Sequence, residues 1–186
     1  MWFLLLMSVL SSTSLLVSSF GYDDLIGPGR FSVDNILQCE DADQYSIRQE
    51  LSRKKLNRTH DCFKLYSELD REINTTYGME SIVYQKLDGG FKYHSTLADN
   101  SMCIFASKYL GSNWPDFLTQ AKVDPPDCPI PAGVIDVNDY VMDYTQVPNS
   151  SIYGTFDITV YLLYGGEKVA CVRLLITYDR NNDDDD

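Results

Sequence analysis

Hydrophobic and polar positions alternate along much of this chain. Near the C-terminus Tyr153, Thr155, Asp157, Thr159 and Tyr161 alternate with Phe156, Ile158, Val160 and Leu162. A period of two marks a strand with one covered face, and the second, wholly apolar set is expected to point inward. "KVACVRLLITYD" follows as a further strand, and Gly165-Gly166 predicts a tight hairpin between the two. Upstream, "MESIVYQKL" and "FKYHSTLA" form a second hairpin across "DGG" at Asp88–Gly90. "RFSVDNILQC", "YSIRQELSRKKL" and "GVIDVNDYVMD" read as strands as well. "FKLYSELDREI" puts Phe63, Leu65 and Leu69 opposite Lys64, Tyr66 and Glu68. Leu65 and Leu69 also fit helical spacing, but the β-rich surroundings favour a strand.

The alternation lapses between Met102 and Lys122. There Ser112 or Asn113 caps a short helix with Pro115 in its first turn and Phe117, Leu118 and Ala121 along it. Pro125, Pro126, Pro129 and Pro131 then forbid regular strand pairing. No repeat or linker divides the chain. The expected fold is all-β, an antiparallel β-sandwich or β-cup with one short helical segment.

The chain ends change this picture. Residues 1–20 carry no charge and are rich in Leu, Met and Val, although a basic start is missing. Ser and Thr interrupt the stretch too often for a comfortable membrane span, so it reads as a secretory signal peptide rather than a retained anchor. Residues 21–180 then form a single domain, and residues 181–186, "NNDDDD", form an acidic disordered tail. A weak calcium site in that tail would lack the ligand spacing of a formed loop. The formal charge of −12 argues against nucleic acid as a partner, because phosphate binding needs a clustered basic face. The one basic cluster, "RKKLNR", is short and reads as a solvated strand edge.

Secretion makes the five cysteines a disulfide framework with one left over. A Cys39–Cys171 bridge would tie the first strand to the last. Cys103, in the helical segment, can reach Cys128 across the proline-rich loop. Cys62 is then a free, partly buried thiol, with an intermolecular bridge as the alternative. Three sequons, at Asn57, Asn74 and Asn149, fit the same compartment. Localisation is accordingly expected to be extracellular.

"DCPIPAGVIDVNDYVMD" followed by "YGTFDITVYLLYGGEKVACVRLLITY" resembles the C-terminal half of the ganglioside activator proteins and the wider group of lipid-recognition β-cups. "KLNRTHDCFKLYSELDREINTTYGMESIVYQKLDGGFKYHSTLADNSMCIF" is similar to a secreted insect family that includes the chemosensory Che-B-type proteins. The resemblance covers roughly Phe31 to Tyr178. It implies a lipid-recognition β-cup and the bridges Cys39–Cys171 and Cys103–Cys128. The ganglioside activators carry further bridges that this chain lacks, which leaves the shape of its lipid-facing loops open.

No catalytic constellation emerges. His60 and Cys62 share a strand face and are a conceivable base and nucleophile, but no local signature supports them. Two histidines are too few for a usual catalytic zinc set, no metal is expected, and no cofactor motif is present. The expected function is therefore non-enzymatic: a secreted protein that binds a small hydrophobic or lipid-like ligand, for which the resemblance implies a chemosensory setting. A secreted receptor-interaction module with a filled core and a lipid-presenting cofactor of a hydrolase are the alternatives. Ligand-lining residues would be Phe91, Tyr93, Phe156, Ile158, Val160 and Leu162, which equally suit an ordinary core. Trp114, Phe117, Leu118, Val147, Ile152 and Tyr153 would form a rim that touches lipid, a membrane surface or a receptor.

Overall fold

In the computed structural model, which describes residues 25–57 and 60–180, nine strands and two α-helices carry the chain. In order these are β1 (Ile26–Leu37), β2 (Gln49–Lys55), β3 (Asp61–Leu69), β4 (Tyr77–Leu87) and β5 (Gly90–Asp99). Then come α1 (Met102–Leu110), α2 (Asn113–Gln120), β6 (Gly133–Met142), β7 (Ser150–Ile152), β8 (Gly154–Tyr164) and β9 (Glu167–Arg180). Every strand pair is antiparallel. One sheet has six strands in the order β5-β4-β8-β9-β1-β7, and the other has three in the order β2-β3-β6. The expected all-β architecture is the observed one.

Local chemistry explains the hairpins. Gly165 and Gly166 hold φ of 59° and 86° between β8 and β9, a region that costs glycine little. In β3, Leu65 and Leu69 turn inward while Lys64, Tyr66 and Glu68 stay exposed, so the strand reading of that segment holds.

The middle of the chain differs from expectation in being two helices. Gly111, at φ 56°, ends α1 by donating its N–H to the Ser107 carbonyl, and α2 starts two residues later. The Ser101 hydroxyl caps α1 by accepting from the Ile104 N–H at 3.4 Å. β7 is a second departure. Its three residues pair with Ile26–Pro28 at the sheet edge, where a proline is tolerated. The proline-rich loop also makes one bridge. Ile73 and Ile130 exchange both backbone hydrogen bonds, at 2.9 and 2.8 Å.

Two disulfides fix the frame, with Cα–Cα distances of 6.3 Å for Cys39–Cys171 and 6.2 Å for Cys103–Cys128. The first pins the segment after β1 onto the outer face of the large sheet, because Cys171 pairs there with Tyr161. The second clips α1 to the proline-rich loop. The main core joins both sheets and both helices through Leu69, Tyr77, Met102, Leu118, Val137 and Ala170. A smaller cluster of Val83, Phe156 and Tyr178 fills the far end of the large sheet. Tyr178 is fully buried, and its hydroxyl donates to the Asn149 carbonyl at 2.7 Å and lies 3.0 Å from the Gly27 carbonyl.

Candidate functional site

Directly opposed residues of an antiparallel pair share a face. The β8–β9 pairs Phe156–Ile176, Ile158–Leu174, Val160–Val172 and Leu162–Ala170 therefore make one continuous apolar surface on the inner side of the large sheet. At the Phe156 end the surface closes on the small cluster around Tyr178. At the Leu162 end it does not close completely. A hollow of about 210 Å³ remains, walled by Val160, Leu162, Ala170 and Val172 below. Ile47, Leu65, Leu69 and Ile135 of the smaller sheet and its approach wall it above, and α1 and α2 contribute Met102, Trp114, Phe117 and Leu118. A second hollow of about 280 Å³ lies beside it, lined by Leu51, Phe63, Leu110, Val137, Tyr140 and Met142. The two share Gln49, Leu65, Trp114, Phe117 and Val172, so they are neighbouring lobes with a common waist.

The lining carries no charged side chain in either lobe. Its polar groups mostly have partners within the protein. Gln49 Nε2 donates to the Cys171 carbonyl at 3.3 Å, and Ser67 Oγ donates to the Arg48 carbonyl at 3.0 Å. The Tyr140 hydroxyl donates to Asn113 Oδ1 at 2.9 Å and lies 3.0 Å from the Asn113 carbonyl. Asn113 Nδ2 donates to the Asp143 carbonyl at 2.8 Å. Burial, with the charges of Asp116 and Asp143 behind it, pushes the Tyr140 hydroxyl up to about 12. Trp114 is the exception. Its Nε1 is closed off from solvent and has no acceptor.

The outer face of the large sheet bears a different depression, of about 410 Å³. Glu40, Asp41, Tyr45, Tyr84, Phe91 and Tyr161 surround a paired Asp157 and Arg173, which meet through two hydrogen bonds of 2.9 and 2.7 Å. That ion pair raises Arg173 above its ordinary value.

The residues expected to line a ligand site thus separate into three groups. Val160 and Leu162 border the first lobe. Phe156 and Ile158 share their strand face but belong to the small cluster beyond it. Phe91 and Tyr93 do not share that face. They pair with Lys86 and Tyr84, so they lie on the outer side, where Tyr93 is 61% exposed. A bulge moved them. The register steps from Val83–Ser95 to Tyr84–Tyr93 and leaves His94 over, which flips every residue on one side of it.

The expected rim also divides. Trp114, Phe117 and Leu118 are walls of the cavity rather than its edge, with Leu118 only 1% exposed. Ile152 and Tyr153 pack on the small cluster, and the Tyr153 ring stacks on Tyr178 at 5.6 Å. Val147 is half-buried after a short 3-10 turn and lines neither lobe. Among the sequons, Asn57 and Asn149 are exposed and Asn74 is half-buried, while the glycan state of all three stays an expectation. The proposed signal peptide and acidic tail, residues 1–20 and 181–186, lie outside the described residues.

Cys62 is free and buried. Burial first, and the Asp139 carboxylate second, push its thiol up, away from the thiolate that a nucleophile needs. Gln49, Met79 and Ile135 were not singled out in the sequence. Gln49 has the plainest signal in hindsight, as the inward member of the alternating Gln49, Leu51 and Arg53 set.

The chain matches no family model and no curated protein. Among the described residues no helix is long and apolar enough to cross a membrane.

Proposed function

We propose that this protein binds a small hydrophobic or lipid-like ligand between its two sheets, in the two-lobed cavity around Trp114. The observation that carries the proposal is the uncharged lining of two adjoining lobes inside an otherwise packed core. Lobes of about 210 and 280 Å³ together fall in the range of small-molecule sites. Each methylene moved into such a site contributes about 0.8 kcal/mol. A chain of roughly twelve methylenes therefore outweighs association costs of several kcal/mol without a polar anchor. The two disulfides suit an oxidising, extracellular compartment. The resemblance adds carriage or presentation of the ligand in a chemosensory setting.

Diphenylhexatriene, a neutral polyene that fluoresces in apolar surroundings, tests the site. Its emission should rise on mixing and fall as an unlabelled lipid displaces it. Val172→Trp, which fills the waist shared by both lobes, should abolish the rise while the fold persists. Emission that survives this substitution places the probe elsewhere and contradicts the proposal.

A second reading has its own support. The outer side of the β4–β5 hairpin exposes Tyr84, Phe91 and Tyr93, each at least 40% accessible. Such an aromatic face suits contact with a receptor. Loss of receptor binding on replacing Phe91 and Tyr93, with the cavity probe unaffected, would favour it.

A further inference from the structure

We infer that the ligand is a neutral molecule with two apolar arms joined at a hydrogen-bond acceptor, and that Trp114 Nε1 donates to that acceptor. The inference rests on the cavity proposed above and names what fills it. Three observations lead to it.

The first is an orphan. Trp114 is 8% exposed, and its Nε1 has no partner. An indole N–H is a donor only, and leaving it unmade in a protein interior costs on the order of 1–3 kcal/mol. Buried tryptophans normally avoid this. Here the other polar groups of the lining are engaged. Trp114 borders both lobes, so its missing partner is most simply supplied by what occupies them.

The second is position. Trp114 belongs to the lining of both lobes, as Gln49 does, rather than to one end. A carboxamide has two N–H groups, and one of Gln49's is taken by the Cys171 carbonyl. Beyond the waist, one lobe offers Met79, Ile130 and Leu162, and the other offers Leu51, Phe63 and Met142. A ligand with its polar group at one end would leave one lobe without an apolar partner. A ligand with its polar group in the middle suits both. At about 30 Å³ for a water-sized group, each lobe has room for roughly seven to nine methylenes.

The third is charge. No Lys, Arg or His lines either lobe, and the chain carries −12. A carboxylate at the waist would be buried without a counter-ion, which is far costlier than a neutral oxygen. An ester, ketone or ether meets the donor without that cost. Because Nε1 is closed off, an oxygen reaches it only as wall side chains move. Met79 and Met102 line the first lobe, and their unbranched thioethers repack readily.

Octyl octanoate, palmitate and heptadecane separate the possibilities. The ester and the parent acid of palmitate share one elemental composition, and heptadecane matches the ester in chain length without an acceptor. Offered to the secreted protein at neutral pH, octyl octanoate should bind about tenfold more tightly than heptadecane, the worth of one good hydrogen bond. It should exceed palmitate by at least as much. Trp114→Phe should bring the ester down to the affinity of heptadecane and leave heptadecane nearly unchanged. In nitrogen-15 spectra of the natural sequence, the Trp114 indole N–H resonance should move downfield with the ester and not with heptadecane. That readout stands even if the variant fails to fold. Equal affinity for ester and hydrocarbon, palmitate as the tightest ligand, or an ester preference that survives Trp114→Phe overturns the inference while the cavity reading stands. Binding of none of the three overturns both.

Discussion

At the scale of single residues, the cavity is bordered by side chains whose polar ends are held in place. Tyr140 shows this best. It walls one lobe with its ring, and its hydroxyl is fixed by Asn113. Its ionisation, raised to about 12 by burial first, has a consequence for stability. The folded state keeps a proton that the unfolded chain loses near the ordinary phenol value of about 10. This contribution is fully present below pH of about 10 and is lost as pH rises through about 12. Urea midpoints measured across that window should fall, and Tyr140→Phe should make the fall shallower. Some slope should remain, because burial also raises Tyr77, Tyr161 and Tyr178. An unchanged slope in the variant would show that Tyr140 ionises as freely in the fold as outside it. Little of this was legible in the sequence. The aromatic positions of the helical segment were visible, but whether Trp114, Phe117 and Leu118 formed a rim or a wall depended on how α2 meets β6, where Phe117 packs edge-on against Tyr140. That contact is made between residues more than twenty positions apart, and no local pattern encodes it.

At the scale of elements, alternation and turn residues made most strands and both hairpins legible. The alternation of β8 identified its inner face, and Gly165-Gly166 identified its turn. The same reasoning failed in β5 for a definite reason. One extra residue, His94, reverses the facing of Phe91 and Tyr93 relative to Ser95 and Leu97. A period of two has no way to announce its own interruption. The helix expected to start at Ser112 or Asn113 is α2, and α1 precedes it across Gly111-Ser112 as a second helix that the expected pattern does not include. The disulfides belong to this scale also. Their sequence separations are 132 and 25, for which loop closure gives about 5 and about 3.5 kcal/mol. Paired Cys→Ser replacement of Cys39 and Cys171 should therefore lower the free energy of urea unfolding more than replacement of Cys103 and Cys128. The reverse order would mean that the clip on α1, and not the tie between first and last strands, governs the fold.

At the scale of the whole molecule, two antiparallel sheets and a helical pair enclose apolar space that they do not fill. Hydrophobic patterning reports which faces turn inward. It does not report whether opposed faces meet, because that depends on the volumes of side chains brought together by the fold. The six-stranded sheet supplies both cases. Around Tyr178 its inner face closes, and around Val172 it leaves two lobes. The proposed ligand binding turns on that difference. Native mass spectrometry of the protein produced in a secretory host, before and after organic extraction, tests it most directly. Adducts of a few hundred daltons should be present, disappear on extraction and return when a lipid is added. A single deglycosylated mass, unchanged by extraction and by every lipid offered, would contradict ligand binding and leave the exposed aromatic face of the β4–β5 hairpin as the site of function.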